Sequence, residues 1–167
     1  LVGFFGGYLF LRNFFDFYPA LLGGVLYITS LYFPLDIFVR GNLAEVWFLA
    51  LMPLAFHLVY KNSQKSHRKT FFLSTLVLSF VLTSHNIYSL IFMPIILVFV
   101  LLQKNKKVNL ISLFFSLFLS AYFWLPAIAE MNFTWAKEVA TLTNIRDHFL
   151  CVNQLWDSPW GYGGSTK

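Results

Sequence analysis

From Phe71 to Leu102 the chain runs for 32 residues without one charged side chain. A surface element of a water-soluble domain does not tolerate such a stretch, and a bilayer suits it. The rest of the chain repeats the pattern, with long apolar runs separated by short connectors that hold the basic residues. Hydrophobic residues make up 58% of the chain, aromatic residues 20% and charged residues 11%, with a mean hydropathy of +0.67. Soluble domains average about 25% charged residues. With 21 Phe, 8 Tyr and 5 Trp to place, a water-facing surface cannot be assembled, whereas a lipid-facing one can. The fold expected is therefore all-α, a polytopic bundle of transmembrane helices with an extracytoplasmic tail. Disordered, collagen-like, coiled-coil and disulfide-stapled classes are excluded by the same composition. The single Cys151 cannot close an intrachain disulfide, and no CxxC or His/Cys cluster accompanies it. It reads as a small apolar filler.

A crossing needs about 20 apolar residues, with a range of about 17–25. Leu1–Leu11 is short and reads as a truncated first span. Phe17–Val39 is long enough; its Pro19 falls in the first turn, where a missing N–H costs little, and Gly23-Gly24 allows close helix approach. Leu43–Tyr60 is the next. The run from Phe71 to Leu102 is interrupted by Ser84-His85-Asn86, whose side chains compete for backbone groups and favour a turn. Two short helices, Phe71–Thr83 and Ile87–Leu102, are expected there. Val108–Ala129 completes about five to six spans, so the membrane region is expected over residues 1–129 and an interfacial segment over 130–167. Leu1 opens within an apolar run, and Gly161–Lys167 completes no apolar segment. The chain is accordingly expected to be a fragment of a larger membrane protein, truncated at both ends.

The net charge is +5, but the basic residues form no patch or stripe of the kind nucleic acid requires. They serve as topology signals. Lys61, Lys65, Arg68 and Lys69 sit in one connector and Lys104, Lys106 and Lys107 in another, and both should face the cytoplasm. One crossing from Phe71 to Leu102 would separate them, whereas a hairpin keeps both inside. Residues 40–42, 84–86 and 130–167 then lie outside.

This arrangement gathers Asp36, Arg40 and Glu45, the tip Ser84-His85-Asn86, and Glu130 at the outer level. Ionisable groups at a membrane boundary are functional candidates by default. Glu45 stands about one turn inside an apolar stretch, where an unpaired carboxylate costs several kcal/mol, so pairing with Arg40 across Gly41-Asn42 is expected. His85 reads as a hydrogen-bonding residue, a general base or a metal ligand, although HExxH and HxxxH spacings are absent. His57 suits hydrogen bonding between helices and His67 a solvated loop. Ser112, Ser116 and Ser120 form a stripe at i, i+4, i+8, and Gly3 and Gly7 a weaker small-residue pair, both suited to close helix packing. Signatures of nucleotide binding, serine hydrolysis and zinc proteolysis are absent. The sequon Asn132-Phe133-Thr134 is a single match of a short pattern. Trp135, Phe149, Trp156, Trp160 and Tyr162 suit either interfacial anchoring or stacking on sugar rings.

Tyr32-Phe33-Pro34-Leu35-Asp36-Ile37-Phe38-Val39-Arg40-Gly41-Asn42-Leu43-Ala44-Glu45, then Leu51-Met52-Pro53-Leu54, Ser84-His85-Asn86, Trp124-Leu125-Pro126-Ala127 with Glu130, and His148 through Ser165 follow in order over nearly the whole chain. In these residues the chain resembles the 6-pyruvoyl-tetrahydropterin synthase-related membrane proteins. The name implies no pterin chemistry here, because the zinc-binding histidines of a soluble pterin synthase have no counterpart. That family is similar to the GT-C superfamily of polytopic glycosyltransferases. The resemblance implies transfer of a sugar from a polyisoprenyl-phosphate donor at the outer face to a glycan or protein acceptor, within membrane lipid. It also implies that the main catalytic acid lies in an outer loop outside this sequence, with Asp36 a secondary candidate. On this reading Arg40, Glu45, His85 and Asn86 bind substrate: Arg40 clamps phosphate, Glu45 braces Arg40, and His85 and Asn86 orient donor or acceptor. No cofactor is evident, and a divalent metal is compatible but unsupported by any spacing. The alternatives from other classes are a transporter or flippase whose polar residues line a path, and a non-catalytic assembly subunit.

Overall fold

The computed structural model describes residues 1–65 and 67–135. All regular structure among the described residues is helical. Its elements are α1 (Val2–Leu11), α2 (Phe17–Thr29), α3 (Tyr32–Leu35) running into a π-helical turn (Asp36–Arg40), α4 (Leu43–Gln64), α5 (Arg68–Ser84), α6 (Asn86–Leu101), α7 (Lys106–Leu119) and α8 (Ala121–Ala129). Two compact units divide the chain, Leu1–Leu125 and a second that begins at Pro126. Most of the expected interfacial tail, residues 136–167 with Cys151 and the aromatic segment from Trp156, lies outside the described residues.

The longest helix, α4, is the element against which α1, α5, α6 and α7 pack. It starts where Asn42 Oδ1 accepts from the Glu45 N–H at 3.4 Å, satisfying one of the donors that every helix start leaves open. Phe48, Met52, Ala55, Leu58 and Val59 of α4 meet Val77, Leu78 and Val81 of α5, Ile96 and Val100 of α6 and Leu113 of α7 in one buried cluster. Leu22, Leu26, Phe72, Phe80, Leu90, Phe114 and Phe118 point outward and are exposed. A bilayer is the solvent that accepts them.

Apolar burial alone does not hold helices together in lipid, so close backbone approach and polar bonds between helices carry the association. Both devices are present. A Cβ placed on Gly6 would stand 2.9 Å from the backbone nitrogen of Leu54, and one on Gly24 3.2 Å from Phe4 O. These two glycines let α1 press against α4 and α2 against α1. Gly7, half of the pair expected from sequence, makes ordinary contacts at 3.6 Å or more. At the far end of α4, Asn62 Nδ2 donates to Asn109 Oδ1 at 3.0 Å and Asn109 Nδ2 to Val59 O at 3.1 Å, both buried. The Ser112 hydroxyl meets Ser74 and Thr75, each at 2.9 Å, so the Ser112, Ser116, Ser120 stripe is buried against neighbouring helices. His57 Nδ1 and Asn13 Nδ2 are 3.0 Å apart, tying the loop after α1 to α4.

The ring pairs fix the directions. Phe10 lies 5.9 Å from Phe56, and Phe14 5.0 Å from Tyr60, so α1 runs parallel to α4. Phe48 with Phe92 at 5.3 Å and Phe56 with Phe99 at 4.8 Å set α6 parallel to α4 as well. Since α5 returns from the end of α4, and α7 starts beside Asn62, the helices alternate and both basic connectors share one end of the bundle. The hairpin inferred from the placement of the lysines is present. His85 is the extended residue at its corner, and the Ser89 hydroxyl donates to Val81 O and Leu82 O at 3.1 Å, closing α5 onto α6.

Among the described residues two helical stretches are long and apolar enough to cross a membrane, Phe17–Arg40 and Leu43–Gln64. Lys106–Leu119 and Ala121–Ala129 make a third if the pair, bent by 61°, counts as one span. Two to three spans are thus supported among the described residues, and the expected five to six are not confirmed; the break at Ser120 bends what was expected as one crossing, Val108–Ala129. Val2–Leu11 and Asn86–Leu101 are apolar helices shorter than the roughly 20 residues a crossing needs.

Candidate functional site

Phe17–Val39, expected as one span, is broken at Ser30–Leu31, and the helical stretch ends in a π-helical turn, Asp36–Arg40. Wide turns of this type recur at functional sites. The turn puts Asp36 and Arg40 on one side and ends at Gly41, whose φ of +63° is the left-handed conformation that costs other residues energy. The Asn42 N–H donates back to Asp36 O at 3.1 Å, completing a helix stop of the glycine type. The chain thus reverses within two residues and starts α4 with Glu45 facing Arg40.

Arg40 Nη1 donates to Glu45 Oε2 at 2.7 Å and to Asp36 Oδ1 at 2.8 Å, and Nη2 donates to Glu45 Oε1 at 3.3 Å. The Arg40 side chain is 33% exposed, whereas those of Asp36 and Glu45 are 0% and 7% exposed. A guanidinium at the rim therefore caps two carboxyl groups buried beneath it. Tyr32 joins from α3: its hydroxyl donates to Glu45 Oε2 at 2.8 Å, lies 2.8 Å from Arg40 Nη1 and pairs with the Tyr88 hydroxyl of α6. Tyr88 brings the hairpin corner to the group. Its N–H donates to His85 Nδ1 at 3.2 Å, and His85 Nε2 stands 3.8 Å from Glu45 Oε1.

The family model described as 6-pyruvoyl-tetrahydropterin synthase related domain, a membrane protein, matches residues 1–147. The chain belongs to the 6-pyruvoyl-tetrahydropterin synthase-related family of membrane proteins. No match was found among curated proteins or among solved structures. In this family member the polar cluster stands at the end of the bundle opposite the basic connectors, formed by α3, the π-helical turn, the start of α4 and the α5–α6 corner.

Of the site residues named from sequence, Asp36, Arg40, Glu45 and His85 come together. Asn86 is set apart: it is exposed, and its Oδ1 accepts from the Ile87 N–H at 2.8 Å. Glu130 belongs to the second unit, where it precedes a short 3-10 turn, Met131–Phe133. Sequence reasoning missed Tyr32 and Tyr88. Their signal is spacing, since Tyr32 precedes Asp36 by one turn and Tyr88 follows His85 by three residues, but two tyrosines among eight carry no mark of their own. Among the described residues no three His, Cys, Asp or Glu side chains form a metal-ligand set.

Next to the cluster lies an apolar cavity of about 440 Å³ between α1, α2, α4 and α6, with Gly7, Tyr27, Phe48, Met52, Phe56 and Phe92 in its wall. Phe48 divides the two, its ring 5.5 Å from that of Tyr88.

Proposed function

We propose that this membrane protein is part of a GT-C-like glycosyltransferase that takes a sugar from a polyisoprenyl-phosphate donor at the outer membrane face. The supporting observation is the Arg40–Glu45–Asp36–Tyr32 cluster with His85 beside it, next to an apolar cavity. Arg40 presents the exposed edge of its guanidinium to a phosphate while Glu45 holds its inner edge, which suits a planar donor of several N–H groups. Cations that hold a phosphate leaving group and a carboxylate that removes the acceptor proton are what inverting transfer needs. His85 and the exposed Asn86 orient donor or acceptor from the hairpin corner, and the cavity suits the hydrocarbon of a lipid-borne donor. The basic connectors 61–69 and 103–107 face the cytoplasm, and the cluster and residues 130–167 face out. Partners on this reading are membrane lipids, the lipid-linked sugar and a glycan or protein acceptor.

The test is sugar transfer from a polyisoprenyl-phosphate sugar by the full-length protein in detergent, with Arg40→Ala, Arg40→Lys, Glu45→Ala, His85→Ala and Asn86→Ala checked for membrane insertion. Loss of transfer is expected for Arg40→Ala and Glu45→Ala, and an intermediate rate for Arg40→Lys. Full transfer by every variant would remove the site from the reaction.

One observation favours a second reading. The break at Ser30–Leu31 and the π-helical turn place interrupted backbone of a candidate span beside buried charge, an arrangement transporters use to bind substrate. Substrate uptake by proteoliposomes that show no sugar transfer would select it.

A further inference from the structure

Two connectors far apart in sequence become one surface at the end of the bundle away from Arg40. Lys61, Lys65, Arg68 and Lys69 are exposed where α4 ends and α5 begins, and Lys104, Lys106 and Lys107 are exposed between α6 and the first turn of α7. A buried bond holds the two together: Asn62, next to Lys61, donates to Asn109, two residues past Lys107, at 3.0 Å. Ser112 of α7, bonded to Ser74 and Thr75 of α5 at 2.9 Å, fixes the same pair of helices to each other. The base under these cations is therefore rigid, and their spacing is set by packed helices rather than by loops.

The fold does not neutralise them. Among the described residues none of these cations is paired with a carboxylate. Asp16, which precedes α2, is the one acid that the first unit brings to this end, and Arg12 beside it adds a further cation, bonded to Phe15 O at 2.8 Å. Helix capping does not account for the charge either. Arg68 and Lys69 open α5, Lys106 and Lys107 open α7, and neither first turn holds an acid; a cation at the start of a helix stands against its dipole. Orienting the chain during insertion uses this charge without consuming it, so the finished protein still presents it.

The surroundings say which anion fits. Phe72, three residues past Lys69, is 68% exposed, and Leu102, two residues before Lys104, is 78% exposed. The cations thus stand at the rim of the apolar belt, where long basic side chains lay their stems along hydrocarbon and put their charge among headgroups. Nucleic acid or an acidic protein brings negative charge without hydrocarbon chains, whereas an anionic phospholipid brings both. We propose that this end of the bundle is a docking surface for anionic phospholipid, with the two connectors holding the phosphate headgroup and Phe72 and Leu102 meeting the acyl chains. The inference rests neither on the glycosyltransferase reading nor on which leaflet the connectors face.

The probe is phosphatidylglycerol, compared with phosphatidylcholine of the same chains, added to the full-length protein in detergent. Phosphatidylglycerol is expected to raise the thermal midpoint progressively with its concentration, and the shift should shrink as salt is raised. Phosphatidylcholine and inorganic phosphate should produce no such shift. The triple variant Lys104→Gln, Lys106→Gln, Lys107→Gln should lose most of it, while Arg40→Ala, measured against its own baseline, should keep it. A second readout needs no variant: in the inserted parent, acetylation of Lys104, Lys106 and Lys107, followed by mass spectrometry, should be several-fold slower with phosphatidylglycerol than with phosphatidylcholine. Equal shifts from the two lipids, a shift reproduced by inorganic phosphate, a shift insensitive to salt, one retained by the triple variant or lost in Arg40→Ala, or equal acetylation in both lipids would each overturn the proposal.

Discussion

Arg40 and Glu45, five residues apart in sequence, meet through two nitrogens and two oxygens, at 2.7 and 3.3 Å, across the turn at Gly41-Asn42. That spacing is not the i, i+4 pairing of a continuous helix. The contact exists because one helical stretch ends and the next begins between them, with the reversal concentrated at one left-handed glycine. Removing the cation leaves two buried acids facing each other. Arg40→Ala is expected to cost about 3 kcal/mol, near the low end for breaking a buried pair because the guanidinium is partly exposed. Arg40→Lys should cost less, since it keeps the charge and loses the fork. Thermal unfolding of inserted protein in detergent measures both, and equal stability of parent and Arg40→Ala would refute the pairing as a stabilising contact.

Gly41 tests the turn separately from the charges. A Cβ there meets nothing within 4 Å, so any penalty comes from φ and not from crowding. Gly41→Ala should destabilise by about 1 kcal/mol, and Gly41→Asn, which enters the left-handed region more readily, by less. The order of thermal midpoints parent, Asn, Ala is the expected readout; an alanine variant as stable as the parent contradicts the turn.

The contact of α1 with α4 makes a prediction about which glycine matters. Gly6→Ala forces a Cβ against the backbone of Leu54, where no side-chain rotation relieves it, and a loss of about 1–3 kcal/mol is expected. Gly7→Ala, with neighbours at 3.6 Å or beyond, should be nearly silent. Comparing the two by detergent melting decides the register, since the reverse order would mean that α1 is rotated relative to α4.

Sidedness is open to single-cysteine labelling in a Cys151→Ser background. The basic connectors share one end, and positive charge favours the cytoplasm. An impermeant maleimide applied to intact cells should modify Asn86→Cys but neither Lys65→Cys nor Lys104→Cys before lysis. Labelling of Lys65→Cys from outside would invert the orientation.

Residue types and their order determined a good deal of this. The apolar runs specify helices in a membrane, and the family follows from the same chain. The two lysine-rich connectors call for a hairpin, whose corner at Ser84-His85-Asn86 was legible because three polar residues interrupt a charge-free stretch. A carboxylate one turn inside an apolar helix announces that something must pair with it, and Arg40 was the near candidate. What the sequence left undecided has one physical cause, that distance and burial are properties of packed helices and not of spacing. Asp36 and Asn86 looked alike as outer polar residues, yet packing buries Asp36 completely and leaves Asn86 in the open. Tyr32 and Tyr88, 56 residues apart, meet only because α6 folds back beside α4. The bend at Ser120 escaped the sequence because it is set where helices turn against one another, and hydropathy along the chain does not register a change of direction. The tertiary arrangement alone decided that two acids share one arginine, for only there do the three side chains leave water and have to balance their charges among themselves.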